Sequence, residues 1–351
     1  MHRESETWIA SETIRYTARL LIRVAENCMN ESNKPSGTRG WDTYWKGTGD
    51  QDSYASGGES HPAITSFWNE TLGQILGPLT NPRILDIATG SGAVIENLFK
   101  HAKDTVPDIT CVDISEAAID SVRRSYPAVI GIVADAVSVP LESSRYDLVT
   151  SQFGIEYAGL DAVDEAARLV APGGALAVLM HIRPGLIFDE CHAALDAVRR
   201  LQKSEFIERS LQFFEAGFAA VQGADRAPYE QAGLHLNPAI EEVQSILSEA
   251  GDEVAGGKIA RLFSDVERFH KRIQFFEPKE VMEWLRTMHR EFTEYEARMA
   301  SMCNAAIDRE TFGDIERRLQ KHGLTIGQGE PLLPANGSLP VAWALRAVRA
   351  D

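Results

Sequence analysis

Between residues 83 and 182, short apolar runs alternate with stretches whose apolar residues recur at helical intervals. Ile84, Leu85 and Ile87 form the first run, which reads as a buried strand bounded by turn residues. Thr89-Gly90-Ser91-Gly92 interrupts the pattern, and residues 93–100 resume it at helical period, with Val94, Leu98 and Phe99 on one side. Residues 109–113, 128–133, 146–151 and 175–180 read as four further strands, each separated from the last by a helix-compatible segment. This alternation predicts an α/β fold, a mostly parallel sheet with helices on both faces. Ligands of such sheets bind outside the carboxyl ends of the strands, where the strand order reverses.

Beyond residue 182 the alternation stops. Segments 186–217, 238–249, 257–275 and 278–303 carry helical stripes, such as Ile259, Leu262, Val266, Phe269 and Ile273. Breaks are expected at Gly223-Ala224-Asp225, Asn237-Pro238, Gly256-Gly257 and Glu277-Pro278. A helix over 312–322 and two closing strands, the second over 340–348, then return the chain to the sheet. Four regions result: 1–80, N-terminal helices with an aromatic lid; 81–182, the sheet core; 183–307, a helical insertion; 308–351, the closing helix and strand pair. In the first region, Ile9, Ile14, Leu20, Leu21 and Val24 predict an amphipathic helix over 1–28, able to pack on the core or on a second copy in a homodimer.

Composition narrows the class. Hydrophobic residues make up 44% and charged residues 25% of the 351, ordinary for a soluble globular protein. No apolar run reaches the roughly 18–20 residues of a membrane span, and the N-terminus lacks the build of a secretory signal, so a cytoplasmic protein is expected. Four scattered cysteines fit reduced thiols. With 51 acids against 35 bases the net charge is −16, which repels nucleic-acid phosphate. Asp189-Glu190-Cys191-His192 contains metal-ligand residue types, but contiguous helical positions cannot all face one ion, and no metal is expected.

Within the sheet region, acids and glycines stand at the ends of successive strands. Asp86 precedes Ala88, Gly90 and Gly92; Asp113-Ile114 ends the second strand; Asp135-Ala136 follows the third; Gln152 opens the loop after the fourth. The glycines let the backbone approach a ligand closely, and the helix that follows offers free N–H groups and a positive dipole end. An acid closing the second strand is placed to hold ribose hydroxyls. In this order the motifs resemble those of the class I S-adenosylmethionine-dependent methyltransferases, with Ala88 where the family's first glycine usually stands. The turn at residues 171–174 into an apolar strand matches the family as well.

That resemblance implies a seven-stranded Rossmann-like sheet, S-adenosyl-L-methionine as cofactor and a small-molecule methyl acceptor. It implies that Asp86, Ala88, Gly90 and Gly92 hold the methionine end, Asp113 and Ile114 the ribose side, and Asp135 and Ala136 the adenine, with Gln152 nearby. The stretch 152–157 resembles that of quinone-biosynthesis methyltransferases, with Glu156 in place of an expected arginine. Glu156, Tyr157 and His181 are the candidate catalytic residues, as base, orienting hydroxyl or ammonium ligand. Trp41, Tyr44, Trp45 and His61 are candidate lid and substrate residues, since methyl transfer from a sulfonium gains from a dry aromatic pocket. Two other functions compete. A nicotinamide-dependent oxidoreductase would use a similar turn, although Ile95 occupies the place of its third glycine; a methyltransferase-like binding module would need no turnover.

Overall fold

His61 opens the first described helix through its own side chain. Its Nδ1 accepts the Ala63 N–H at 3.1 Å, and Pro62 fits the first helical position, where no N–H is needed. The computed structural model describes Trp45 and residues 61–351, apart from 102–106, 336 and 338. The expected helix over 1–28, Trp41 and Tyr44 lie outside the described residues.

Helix α1 (Pro62–Leu76) leads into β1 (Arg83–Ile87), α2 (Ala93–His101), β2 (Asp108–Asp113), α3 (Glu116–Ser125) and β3 (Ile130–Val133). Then come β4 (Tyr146–Gln152), a short 3₁₀ turn (Ile155–Ala158), α4 (Leu160–Leu169) and β5 (Val170–Met180). Helices α5 (Leu186–Lys203), α6 (Phe206–Val221), α7 (Ala227–Ala250), α8 (Lys258–Lys271) and α9 (Pro278–Ala305) follow. Helix α10 (Arg309–Lys321), β6 (Leu324–Leu332) and β7 (Ala342–Arg349) close the chain.

The strands form one seven-stranded sheet in the order β3-β2-β1-β4-β5-β7-β6. β1 to β5 pair in parallel, while β7 runs antiparallel to both β5 and β6. This is the seven-stranded Rossmann-like sheet that the resemblance implies, with the parallel core that the alternating pattern predicts. Strand order reverses between β1 and β4, which places the carboxyl ends of β1, β2 and β4 around one crevice. β1 is buried on both faces from Ile84 onward, as a central parallel strand requires.

Each sheet face carries its own apolar core. On one face Leu85, Ile87, Val149 and Leu345 pack with α4 and α10, through Ala166, Phe312 and Ile315. On the other, Ile84, Leu148 and Ala177 join α1, α2 and the inserted helices through Trp68, Leu98, Val198, Phe214 and Leu285. The insertion therefore shares a continuous core with the sheet.

Several boundaries differ from the sequence reading, for local reasons. The expected helix over 186–217 is two helices, because Glu205 takes a left-handed φ of +57° and Ser204 turns its hydroxyl onto the Leu201 carbonyl. Asn237-Pro238 does not break the chain: α7 runs through Pro238, whose neighbours Leu236 and Ala239 are buried in the core. Tertiary burial there outweighs the loss of one helical N–H. α7 also starts earlier than expected, with Asp225 accepting the Ala227 N–H and Pro228 in the first turn. Pro331 of β6 pairs with Trp343 of β7; β6 is an edge strand, where a missing N–H is tolerated.

Candidate functional site

The turn after β1 is built by hydrogen bonds from both sides. Thr89 N–H donates to the Val112 carbonyl at 3.1 Å and Gly92 N–H to the Thr89 carbonyl at 2.9 Å. Gly90 N–H donates to Asp113 Oδ2 at 2.9 Å, while Asp113 Oδ1 accepts the Ser115 N–H at 2.8 Å. The acid closing β2 thus organises the glycine turn of β1. Ala88, Gly90 and Gly92 adopt φ of +53°, +54° and +93°. At Gly90 a Cβ would fall 2.7 Å from the Trp45 ring, so the indole rests directly on bare backbone.

Asp86 lies beneath this turn. Its Oδ2 accepts the Thr89 hydroxyl at 2.6 Å and its Oδ1 the Thr150 hydroxyl at 2.7 Å. Burial pushes its carboxyl up to about 7; the two hydroxyls oppose the rise and the neighbouring Asp113 charge adds to it.

A cavity of about 230 Å³ opens beside these groups. Its wall includes Trp45, Ala88, Gly90, Asp113, Ile114, Asp135, Ala136 and Tyr157, which the sequence singles out, together with Val112, Ala134, Phe153, Gly154 and Ala158. Four strand ends, those of β1 to β4, therefore meet at one hollow. Phe153 takes a φ of +52°, and a Cβ on Gly154 would stand 2.6 Å from that of Ala88, so the loop after β4 seats closely on the turn after β1. The position of this loop was readable in the sequence; its strained backbone was not.

The other singled-out residues stand off the wall. Gly92 is packed under α3, where its Cβ would meet Val122 at 3.3 Å. Gln152 is turned away from the cavity: its Oε1 accepts the Trp68 indole N–H, tying the end of β4 to α1. Trp68, one of the aromatic residues of the expected lid region, is a core residue instead, 0% exposed. His61 caps α1 and lines a different hollow.

Glu156 and His181 form a buried pair behind the wall, with side chains 0% and 2% exposed. Glu156 Oε1 accepts the His181 backbone N–H at 2.9 Å and lies 2.7 Å from His181 Nδ1. An oxygen already accepting an amide N–H takes the ring hydrogen from Nδ1, which makes Nε2 the ring's basic nitrogen. Glu156 Oε2 has no hydrogen-bond partner among the described residues. The His181 ring packs 4.5 Å from that of Phe153 and edge-on, at 5.8 Å, to that of Tyr157, both cavity-wall residues. Among the described residues no His, Cys, Asp and Glu cluster is able to hold a metal ion, and no helix is long and apolar enough to cross a membrane.

The same stretch of the chain matches known proteins. Residues 85–178 match the family described as methyltransferase domain. The chain is 30% identical over 124 residues to the ubiquinone/menaquinone biosynthesis C-methyltransferase UbiE of Cereibacter sphaeroides, covering 33% of this chain and 49% of that protein. It is 33% identical over 126 residues to the mitochondrial 2-methoxy-6-polyprenyl-1,4-benzoquinol methylase of Caenorhabditis elegans, covering 34% and 42%. The chain thus spans less than half the length of either relative. Among solved structures, the CcbJ methyltransferase of Streptomyces caelestis is similar at 17% identity and a TM-score of 0.33, over 42% of this chain and 59% of that one. Residues 85–178 are a methyltransferase domain on a class I sheet, and S-adenosyl-L-methionine is the cofactor of that class.

Proposed function

With a class I methyltransferase domain at the centre of the chain, we propose that the protein transfers a methyl group from S-adenosyl-L-methionine to a small-molecule acceptor. The observation that carries this reading is the meeting of Gly90, Asp113 and Asp135 on one cavity wall. The fit is chemical as well as spatial. Two separated carboxylates suit a ribose diol and an exocyclic amine, and the bare backbone at Gly90 suits close approach of the amino-acid end. When bound, the cofactor supplies a methyl carbon activated by its sulfonium. Asp113, which braces the glycine turn, would hold the ribose hydroxyls. Asp135 and Ala136 would hold the adenine, Ile114 and Val112 would supply apolar wall, and Trp45 with Phe153 and Tyr157 would keep water out. Asp86 acts from below, holding the turn through Thr89 and Thr150.

On the acceptor side we assign His181 a positioning role, since it lies behind the wall with its side chain 2% exposed. Glu156 fixes the ring through Nδ1, and the ring holds Phe153 and Tyr157 on the side of the cavity that faces the acceptor. This role replaces the direct binding of an ammonium group by Glu156, whose side chain is fully buried and engaged. Carbon stands beside nitrogen, oxygen and sulfur as acceptor atom, since one relative is named a C-methyltransferase. The inserted helices α5–α9 roof the acceptor on this reading.

Calorimetry with S-adenosylmethionine and its demethylated product tests the core of the proposal: both bind in the micromolar range, and Asp113→Ala abolishes binding. NADH binding in their place would make the protein an oxidoreductase, and cofactor binding without turnover on any acceptor would make it a binding module. For the pair, His181→Ala and Glu156→Gln each raise the acceptor KM at unchanged cofactor affinity, a split that a merely structural pair does not produce.

A further inference from the structure

Among the inserted helices, α6 floors a groove of about 710 Å³ whose walls are α7 and α8. It shares no lining residue with the methyltransferase cavity. Aromatic rings gather at one end. Phe213 of α6 lies 4.8 Å from Tyr229 of α7 and 5.1 Å from His270 of α8, centroid to centroid, so three helices contribute to one π surface. Tyr229 is half-buried and His270 exposed, so an occupant of the groove reaches both rings. The Tyr229 ring rests on bare backbone of α6: a Cβ on Gly217 would fall 2.9 Å from it. Gly233 of α7 is bare for a different reason. Glycine is a poor residue inside a helix, yet a Cβ here would meet the Phe213 ring at an ordinary 3.5 Å, so packing does not demand it. Its bareness leaves room beside Phe213, where both residues line the groove.

Charge selects the occupant. Glu230 follows Tyr229 on α7 and Glu267 stands one turn before His270 on α8, so a carboxylate flanks the rings from either wall. Glu230 has no ion-pair partner among the described residues. Glu267 meets Lys271 at 2.9 Å, but both side chains are more than half exposed, and such a pair is weak. No lysine or arginine lines the groove. An aromatic surface flanked by carboxylates, with no ammonium or guanidinium in its wall, attracts a cation and repels an anion. We propose that this groove binds a small organic cation, an ammonium or trimethylammonium group carried on a flat apolar body. The charge sits at the Tyr229 and His270 rings between the two carboxylates, and the body lies beside Gly233 against Phe213 and Phe263. The site is separate from the methyltransferase cavity and stands whether or not methyl transfer is the protein's activity.

Fluorine NMR on the full chain tests it with 4-fluorobenzyltrimethylammonium, against 4-fluorobenzyl alcohol and 4-fluorophenylacetate. The cation binds about tenfold more tightly than the alcohol, the phenylacetate binds more weakly than either, and added salt weakens the cation alone. Glu230→Gln combined with Glu267→Gln brings the cation down to the affinity of the alcohol; both changes are on exposed side chains and leave the fold in place. Gly233→Leu closes the room beside Phe213 and abolishes binding of both probes, while Gly233→Ala keeps or raises the melting temperature. Saturating demethylated cofactor does not displace the cation. The proposal fails if the alcohol or the phenylacetate binds as tightly as the cation, if the double glutamine variant keeps the preference, or if Gly233→Leu binds the cation like the parent. It also fails if Gly233→Ala lowers the melting temperature or if the cofactor product displaces the probe. A dimer in solution that Gly233→Leu separates would overturn it too, since a second copy then fills the groove.

Discussion

Asp86 is an acid held where charge is costly. Its carboxyl, raised to about 7 from a reference of 3.8, keeps its proton in the folded chain over a range where the unfolded chain has lost it. The stabilisation is therefore complete below about pH 4 and fades as pH rises to about 7, by on the order of 4 kcal/mol. Asp86→Asn flattens that slope, which urea titrations between pH 4 and 8 will measure. Ala88 is the second residue under tension, an L-residue at φ +53° where glycine is at ease. Ala88→Gly stabilises by about 1 kcal/mol, whereas Gly154→Ala drives a Cβ into the Ala88 backbone and lowers both melting temperature and cofactor affinity. Asp113, Asp135 and Gly90 were legible as neighbours on one cavity wall because residue type and strand-end position suffice to mark them, whereas Gly92 packs under α3 instead. The Glu156–His181 pairing was not, since it joins the ends of two neighbouring strands and depends on where each side chain turns.

Among elements, α1 does more than shield the sheet. Trp68 anchors it to Gln152 at the end of β4, and its opposite edge reaches Arg346 on β7. Trp68→Phe keeps the ring but orphans Gln152 Oε1, at a cost of about 1–3 kcal/mol. Thermal melts will show that loss, and a rise in acceptor KM at constant cofactor affinity will show that the helix sets the active edge. The alternating elements of the sheet were readable because each strand is a continuous apolar run between turn residues. The insertion was readable as helical but not in its joints. Glu205 breaks a helix with no glycine or proline to mark the place, and Pro238 fails to break one because the core holds both sides. In each case packing contributed by distant residues overrode the local signal.

At the scale of the whole molecule, the sheet and the inserted helices share one apolar core, from Ile84 through Trp68 to Phe214 and Leu285. Calorimetry therefore records a single cooperative transition, in which Phe214→Ala costs about 3–5 kcal/mol and shifts the unfolding of the sheet along with that of the insertion. The net charge of −16 keeps this body away from polyanions, in accord with a small-molecule acceptor. The indole of Trp45, lying where a side chain on Gly90 would otherwise be, has a kinetic corollary. On the proposed function, an occupant seated on that turn leaves only once the ring has moved, which slows the departure of spent product. Trp45→Ala then shortens the residence time of the demethylated product and weakens its binding, which stopped-flow fluorescence measures.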